Sequence, residues 1–326
     1  MTTMLASLGV KKESTYGTPV TVDRFFEFNK ESIRSQNGRV ESRGIRSGTR
    51  TLRSDRFEPV RLGAAGSVEF DVPTKGFAFW LEHMLGTVAT GSVTDSNYTH
   101  TGTEGSLLGD FFTLQLNRPF HPSGTAQAFT YHGGKVLSWQ LGCDLDGVLV
   151  CTLDCDFEDE DTSTGLASVS YPSDFRVFTW AGGAVTVGGS SKEITKFTVG
   201  ANLMLNTDRR FQRASSLKKE PTEDGDRAYT WSFSMDFVDL TEYDRFRASA
   251  RASTLAAIVG TWDGPIAHGG ATLPRVTATI PAARFDAAFP NIEGKGGITL
   301  DVAGIATSDG TNSPVSIAYR STDATP

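Results

Sequence analysis

Hydrophobic and polar residues alternate along many short stretches of the chain, which is the pattern of β-strands with one buried face. The clearest stretch runs from Tyr229 to Phe237, where large apolar side chains occupy every second position. Similar alternation over residues 67–72 and 197–205 predicts two further strands. Helical spacing occurs in few places, and glycine and threonine are plentiful. The pattern therefore predicts a mainly β protein.

Residues 135–158 predict a long β-hairpin. Asp146-Gly147 at its centre is a strong turn signal, because glycine accepts the positive φ of a tight hairpin turn. One face of the hairpin is apolar and includes all three cysteines, which we interpret as small buried hydrophobic residues: Cys143, Cys151 and Cys155. The other face carries a row of carboxylates: Asp144, Asp154, Asp156 and Glu158. Because aligned carboxylates repel each other, the row indicates either a solvated face or a channel wall that repels DNA phosphates.

The same order of elements occurs twice along the chain. The first half contains a strand, a long charged segment, a strand, a short helix capped by Thr74, and more strands: 25–33, 34–63, 67–72, 76–86, 111–118 and 135–158. The second half contains the corresponding series: 197–205, 206–228, 229–237, a short helix capped by Thr241, 254–262, 275–289 and 297–306. We interpret this order as duplication of one domain, although an α+β chain can resemble a repeat by chance.

The duplication predicts five regions along the chain. They are an N-terminal arm at 1–22, a first domain at 23–160, a linker with β structure at 161–195, a second domain at 196–307 and a C-terminal tail at 308–326. Each domain is expected to contain one short flanking helix and one long loop between two strands.

No constellation of residues predicts catalysis, a cofactor or a metal site. The histidines stand outside recognisable catalytic or zinc-binding motifs: His83, His100, His121, His132 and His268. Asp144 to Gly147 resembles the start of a calcium loop, but the later ligands are missing. A site assembled from distant segments can escape such a search. The interpretation that the motifs favour is that the protein is not an enzyme.

Composition narrows the class of protein further. The net charge of −7 argues against a general nucleic-acid-binding protein, which is usually basic. The three cysteines lack zinc-ligand spacing and fit a reducing compartment. The chain begins without a signal-peptide pattern and has no run of 18 apolar residues, so we expect neither secretion through such a peptide nor a membrane span.

Segment 34–63 differs from the rest of the chain because it is strongly basic. It contains eight arginines and only three acidic residues, a net charge of +5. The arginines that we expect to make contacts are Arg39, Arg43, Arg46, Arg50, Arg53 and Arg56. Such a block either binds nucleic acid or docks on an acidic surface. It can also be disordered in the free protein and become ordered on assembly.

Three stretches of the chain resemble a known family. LGVKKESTYGTPV (8–20), GFAFWLEHMLG (76–86) and FTYHGGKV (129–136) are similar to tail tube proteins of phages with long, non-contractile tails. The order of elements also resembles that family's domain, a β-sandwich with one flanking helix and a long early loop. The resemblance covers nearly the whole chain.

The resemblance implies a structural role. Each domain would add a sheet to a closed β-barrel around a bore, so a duplicated chain would form trimeric rings with pseudo-sixfold symmetry, although a hexamer stays open. Loop 34–63 would reach the neighbouring ring, with 206–228 as its counterpart, and the arm and the tail are further candidates for contacts between subunits. The bore would be lined by Asp144, Asp154, Asp156 and Glu158. The second hairpin, 284–303, contributes only Asp286, Glu293 and Asp301 as acids.

The same resemblance implies partners and a location. The rings would stack helically, double-stranded DNA would pass without specific binding, and a tape measure protein, a tail terminator and distal tail proteins would attach. The protein would be assembled in the cytoplasm of the bacterial host and would reside in the virion tail. Two alternatives remain from the residues: a β-sandwich that binds a receptor or carbohydrate through 34–63, and a DNA-binding protein that uses the same arginines.

Overall fold

The protein is mainly β, as predicted, and its computed structural model describes residues 2–91, 93–252, 255–268, 270–292 and 294–326. The strands of the first half are β1 (Ser7–Lys12), β2 (Arg24–Phe26), β3 (Lys30–Glu31), β4 (Arg34–Ser35), β5 (Gly38–Glu41), β6 (Phe57–Arg61), β7 (Ala64–Asp71), β8 (Gly86–Thr90), β9 (Tyr98–Glu104), β10 (Phe112–Asn117), β11 (Ala128–Asp144), β12 (Val150–Phe157) and β13 (Asp159–Asp161). Those of the second half are β14 (Gly183–Val187), β15 (Ser190–Lys192), β16 (Ile194–Asn202), β17 (Leu205–Asn206), β18 (Thr222–Glu223), β19 (Ala228–Asp236), β20 (Ala256–Asp263), β21 (Arg275–Pro290), β22 (Thr299–Ala306) and β23 (Ser316–Ser321). The α-helices in the described ranges are α1 (Ala78–Leu85) and α2 (Thr241–Ala252), and 3₁₀ turns cover Thr2–Leu5 and Trp180–Gly182.

One antiparallel sheet, which we call the central sheet, runs through both halves of the protein. Its strand order is β3/β4–β7–β12–β11–β16–β19–β22–β21. Within this sheet the halves join where β11 pairs with β16, with Ser138 opposite Asn202 and Asp144 opposite Lys196. The main chain is therefore hydrogen-bonded continuously from one half to the other.

Most of the remaining strands form two further series, and β5–β6 and β17–β18 form separate two-stranded sheets. The first series is β2–β1–β10–β11–β13, and the second is β15–β14–β20–β21–β23, which β9 and β8 extend. The long strands β11 and β21 belong both to these series and to the central sheet. The register of β11 against β12 shifts between Val136 and Ser138, and that of β21 against β22 shifts between Phe285 and Ala287. Such bulges bend a strand, which lets one strand serve two sheets.

The pairing order of the first half recurs in the second half. In the central sheet β4–β7–β12–β11 corresponds to β16–β19–β22–β21, and in the other series β2–β1–β10–β11–β13 corresponds to β15–β14–β20–β21–β23. The strands of each set also follow one another in the same order along the chain. This is the arrangement that a duplicated domain would have, and the duplication itself stays a prediction.

The regions predicted as an arm, a linker and a tail each contain strands that pair with the body of the protein. The proposed arm at 1–22 contains β1, which pairs with β10, and the proposed tail at 308–326 contains β23, which pairs with β21 and β9. The proposed linker at 161–195 contains β14, which pairs with β20. Thr254 of the predicted strand 254–262 and Glu293 of the second hairpin lie outside the described residues.

Helix α1 packs into the core of the first half. The ring of Trp80 lies 5.9 Å from that of Phe70 and 5.4 Å from that of Phe112, all three fully buried. The helix ends at Gly86, whose φ of 98° is left-handed, as predicted. The prediction that Thr74 caps this helix is wrong, because the helix begins at Ala78. The Thr74 hydroxyl instead accepts a hydrogen bond from the N–H of Arg176 at 2.8 Å.

Candidate assembly surfaces

The face of the central sheet that points away from the hydrophobic core is polar. Serine and threonine recur along it, and an open groove crosses it between Gln140, Thr230 and Asp286. Its exposed acidic residues are Asp144, Asp154, Asp236, Asp286 and Asp301. Its exposed cations are Lys30, Arg34, Lys196 and Arg284. Both halves therefore contribute acids to a face on which negative charge is in excess.

Two of the four carboxylates predicted to line a bore lie exposed on this face. Asp144 Oδ1 is 3.3 Å from Lys196 Nζ, across the joint between β11 and β16. Asp154 Oδ2 accepts a hydrogen bond from the hydroxyl of Ser138 at 2.6 Å. The predicted hairpin turn forms, but the expectation that Gly147 supplies its positive φ is wrong, because Asp146 adopts the positive φ, at 59°.

The other two carboxylates are buried, so the expectation that they lie on an exposed acidic face is wrong. Asp156 is 5% exposed and Glu158 is 7% exposed. Asp156 follows Asp154 on the same face of β12, but segment 203–227 covers it. Lys218 of that segment places Nζ 2.5 Å from Asp156 Oδ1. Alternation along a strand predicts the direction of a side chain, and a distant segment decides whether it meets solvent.

Segment 203–227 is folded against the first half of the protein through charged contacts. The carboxylate of Glu220 lies 2.7 Å from Nζ of Lys135, which is 2% exposed. Arg210 donates to the carbonyl of Leu62 in the first half at 2.7 Å, and within the segment Arg209 donates to the carbonyl of Glu220 at 2.5 Å. Because the ion pairs Lys135–Glu220 and Lys218–Asp156 are both largely removed from water, each ion depends on its partner. The segment is therefore fixed on the body of the protein.

Segment 34–63 is exposed over nearly its whole length, whereas segment 203–227 buries Leu203, Lys218 and Pro221. Strands β5 and β6 form a two-stranded ribbon whose residues are almost all exposed. Arg53 and Arg56 both approach Asp55, at 2.9 and 3.9 Å, and Arg39 lies over the ring of Phe57 at 5.6 Å. Of the six arginines singled out from the sequence, Arg43, Arg46 and Arg50 form neither an ion pair nor a ring contact within the described residues. The six arginines singled out from the sequence thus lie on one projecting hairpin, and three are free to contact another molecule.

A buried acidic cluster, absent from the sequence-based predictions, lies at the end of β12. Glu13 accepts hydrogen bonds from the hydroxyl of Thr113 at 2.8 Å and from the N–H of Gly133 at 2.9 Å. Glu158 lies 3.7 Å from Nδ1 of His132. Burial raises the pKa of Glu158 to about 7 and lowers the pKa of His132. The only signal in the sequence is Gly133, whose φ of 62° allows the main chain to approach Glu158.

The described residues contain no group of three or more histidine, cysteine, aspartate or glutamate side chains that could hold a metal ion. The cysteines are buried and unbridged in the apolar core, as predicted. None of the helices in the described part of the chain is both long and apolar enough to cross a membrane.

Comparison with known proteins identifies the family. The model of the phage tail tube protein family matches residues 5–306. A search of curated proteins finds no relative of the chain. The family match includes every strand of the central sheet, both helices and the arginine-rich hairpin, and on this basis the chain belongs to the phage tail tube protein family.

Proposed function

We propose that copies of this chain associate side by side into rings, and that the rings stack into a tube through which phage DNA is ejected. Membership of the family makes the chain a structural component of a phage tail. The observation that carries the proposal is the central sheet, which spans both halves and has the core on one face and polar residues on the other. Joining such sheets edge to edge into a closed barrel would leave no strand edge unpaired.

The width of the resulting bore favours three copies in each ring. Counting β3 and β4 as one edge strand, each copy contributes eight strands to the central sheet. With strands about 4.8 Å apart and tilted by about 40°, three copies give a barrel roughly 50 Å across its backbone and a bore of roughly 40 Å. This bore admits one DNA duplex, whereas six copies would double the diameter. Two similar halves in each of three copies would produce pseudo-sixfold symmetry.

Charge on the polar face fits a conduit that does not retain DNA. Asp144, Asp154 and Asp301 are exposed there and would face the bore. Negative charge on a wall repels phosphate groups, so a duplex can move without binding. Asp156 is covered by Lys218 and would contribute little to this repulsion.

The arginine-rich hairpin is suited to contacts between stacked rings. Segment 34–63 carries +5 within a chain of −7, which leaves −12 on the remaining residues. A projecting cationic hairpin is attracted to an anionic body, and arginine forms bidentate hydrogen bonds with carboxylates. Another copy of the same chain supplies such an anionic surface, so we take it as the partner of the hairpin.

The family also supports the wider assignment. A tape measure protein, a tail terminator and distal tail proteins are the expected partners in a virion tail that is assembled in the host cytoplasm, and the role is structural rather than enzymatic. The competing receptor- or carbohydrate-binding function would need exposed aromatic residues in segment 34–63. Its aromatic residue, Phe57, is partly covered by Arg39.

Electron microscopy of the purified protein over a range of concentrations tests the proposal. Rings or hollow tubes of uniform width, with three copies per ring by mass measurement, are the expected result. Monomers under all assembly conditions would contradict it. Salt-sensitive retardation of DNA by the unassembled protein would instead favour DNA binding by the hairpin.

A further inference from the structure

The central sheet ends at two strand edges that pair with no other strand among the described residues. One edge is formed by β3 and β4, which pair only with β7, and the other by the last residues of β21, which pair only with β22. Phe289 on β21 is 54% exposed, and Ile292 just beyond the strand is 80% exposed. An exposed edge with apolar side chains is suited to pairing with another chain.

The main-chain groups that point outward at each edge follow from the existing hydrogen bonds. Ser32 and Gln36 donate to the carbonyls of Ser67 and Gly63, so the intervening Ile33 and Ser35 direct their groups away from β7. On the other edge, the N–H of Thr307 donates to the carbonyl of Ala282. After the bulge at 285–287 the same alternation leaves Ala288 and Pro290 directed away from β22.

The recurring strand order allows the two halves to be aligned residue by residue. Ser138 and Ala287 each follow the bulge in their strand, so these two positions correspond. Asp154 lies opposite Ser138 and Ala303 lies opposite Ala287, so Asp154 corresponds to Ala303. Continuing across the sheet, Ser67 opposite Asp154 matches Ser232 opposite Ala303. Ser32 lies opposite Ser67 and Thr198 lies opposite Ser232, so Ser32 corresponds to Thr198. Along the same strand, the corresponding positions are then Gln36 and Asn202, Arg34 and Gly200, and Lys30 and Lys196.

With this alignment, the pairing of β11 with β16 inside the chain serves as a template for pairing between the free edges of two copies. Inside the chain, Ser138 lies opposite Asn202 and Gln140 lies opposite Gly200. We propose that β21 of one copy pairs antiparallel with β4 of the next, with Ala287 opposite Gln36 and Phe289 opposite Arg34. The inference rests on the proposed ring assembly and specifies which residues join its members.

The hydrogen-bonding pattern of the internal joint is compatible with the proline at the edge. Across that joint the N–H of Leu203 donates to the carbonyl of Leu137, and the N–H of Leu145 donates to the carbonyl of Thr195. Because hydrogen-bonded pairs alternate along antiparallel strands, Leu141 and Val199 between them also form such a pair. The corresponding pairs between copies are Ala288 with Ser35 and Pro290 with Ile33. Pro290 has no N–H to donate. Ile33 needs no hydrogen bond from β21, because Arg118 Nη2 donates to its carbonyl at 2.6 Å and its own N–H donates to Glu31 Oε2 at 2.9 Å. The main-chain hydrogen bonds between copies would therefore come from Ala288 with Ser35.

Helix α2 would form part of the same contact. The N–H of Phe285 donates to Ser249 Oγ at 3.3 Å, and the ring of Phe246 lies 5.2 Å from that of Phe289. The first half offers a precedent, since Trp139 on β11 donates through Nε1 to the carbonyl of Met84 in α1 at 3.0 Å, next to the internal joint. A helix beneath the joining strand therefore accompanies strand pairing within this chain.

Paired cysteine substitutions test the register. Ala287 and Gln36 would form a non-hydrogen-bonded pair, in which Cα atoms are about 4.5 Å apart, within the range that a disulfide spans. The Ala287→Cys/Gln36→Cys variant, assembled and then oxidised, should give covalent oligomers whose largest member reports the number of copies in the ring. Ser138→Cys/Asn202→Cys is the matched control, since the same position within the chain should close an intramolecular disulfide and leave a monomer.

Two further variants distinguish the possible outcomes. Ala287→Cys/Ser32→Cys displaces the pair by four residues and should give few crosslinks, and Ala287→Cys alone should give none unless two β21 edges meet. If rings form and the internal control closes, but Ala287/Gln36 crosslinks no more than Ala287/Ser32, the register is wrong while the ring assembly stands. If the unmodified protein forms no rings, the proposed function fails, and this inference fails with it.

Discussion

The ion pair between Lys218 and Asp156 is expected to fix segment 203–227 on the first half of the protein, and replacing Lys218 with methionine tests that role. Lys218 is 4% exposed and Asp156 is 5% exposed, and the second oxygen of Asp156 has no hydrogen-bond partner among the described residues. Methionine retains the length of the side chain and removes its charge. The variant therefore leaves a carboxylate buried without a counter-ion.

The expected magnitude follows from the two ways in which the protein can accommodate that carboxylate. An uncompensated buried charge costs about 3–5 kcal/mol. The alternative is protonation, and neutralising an aspartate of ordinary pKa costs about 4 kcal/mol at pH 7 and about 1.5 kcal/mol at pH 5. We therefore expect Lys218→Met to lower the free energy of unfolding by about 3–4 kcal/mol at pH 7, or to release the segment at comparable cost. The loss should shrink to about 1.5 kcal/mol at pH 5, because protonation is then easier.

Urea unfolding followed by tryptophan fluorescence, together with limited proteolysis of residues 203–227, measures both outcomes. Lys219→Met is the matched control, because Lys219 is exposed and its loss should change stability by less than about 0.5 kcal/mol. The double variant Lys218→Met/Asp156→Asn should recover most of the stability, since no charge is left buried. A loss below about 1 kcal/mol at pH 7, or a loss that is equal at pH 5 and pH 7, would refute the reasoning.

Three other predictions concern the buried cluster, the polar face and the hairpin. Because the folded-state pKa of Glu158 is raised to about 7, its contribution to stability is present at low pH and is lost as the pH rises through 7. Glu158→Gln should therefore raise the thermal unfolding midpoint at pH 8 and leave it nearly unchanged at pH 5; equal effects at both values would contradict this. Replacing Asp144, Asp154 and Asp301 together by lysine should leave rings intact but make assembled tubes cosediment with DNA at low salt, and tubes that still ignore DNA would argue against these residues facing a bore. Alanine at Arg43, Arg46 and Arg50 should weaken stacking at least tenfold while rings persist, compared by microscopy with alanine at the exposed Lys219, Arg247 and Lys295; equal effects of the two sets would exclude a specific role for the hairpin.

Local sequence patterns predicted the strands well, because a strand with one buried face has apolar side chains at every second position. Alternation over residues 135–158 is confirmed as β11 and β12, and the strand predicted at Tyr229–Phe237 is β19 with one residue of difference at each end. The mainly β class follows from the same signal. The stretch 25–33 is less regular, and it forms the end of β2 and the separate strand β3 rather than one strand.

Burial of charged residues could not be predicted from the same patterns. Asp156 and its cation Lys218 are 62 positions apart in the sequence, and no periodicity links them. Glu13, His132 and Glu158 meet only because β1, β11 and β13 lie near one another in the folded chain. Long-range packing therefore decides which members of an alternating acidic row are available to a bore, and Asp144 and Asp154 remain the candidates.

The two free edges of the central sheet can pair with another strand, but their residues limit which strands can pair with them. Long, flat strand edges promote aggregation, whereas short strands, charged side chains and proline limit indiscriminate pairing. Strands β3 and β4 contain only two residues each, and Arg118 binds both the carbonyl of Ile33 and the carboxylate of Glu31 beside them. On the other edge Pro290 removes one donor. An N–H group placed opposite Ile33 would meet an occupied carbonyl, and a free carbonyl placed opposite Pro290 would find no donor. These restraints favour the register in which Pro290 lies opposite Ile33. The features that would keep a free subunit from aggregating are then the same features that select its correct neighbour.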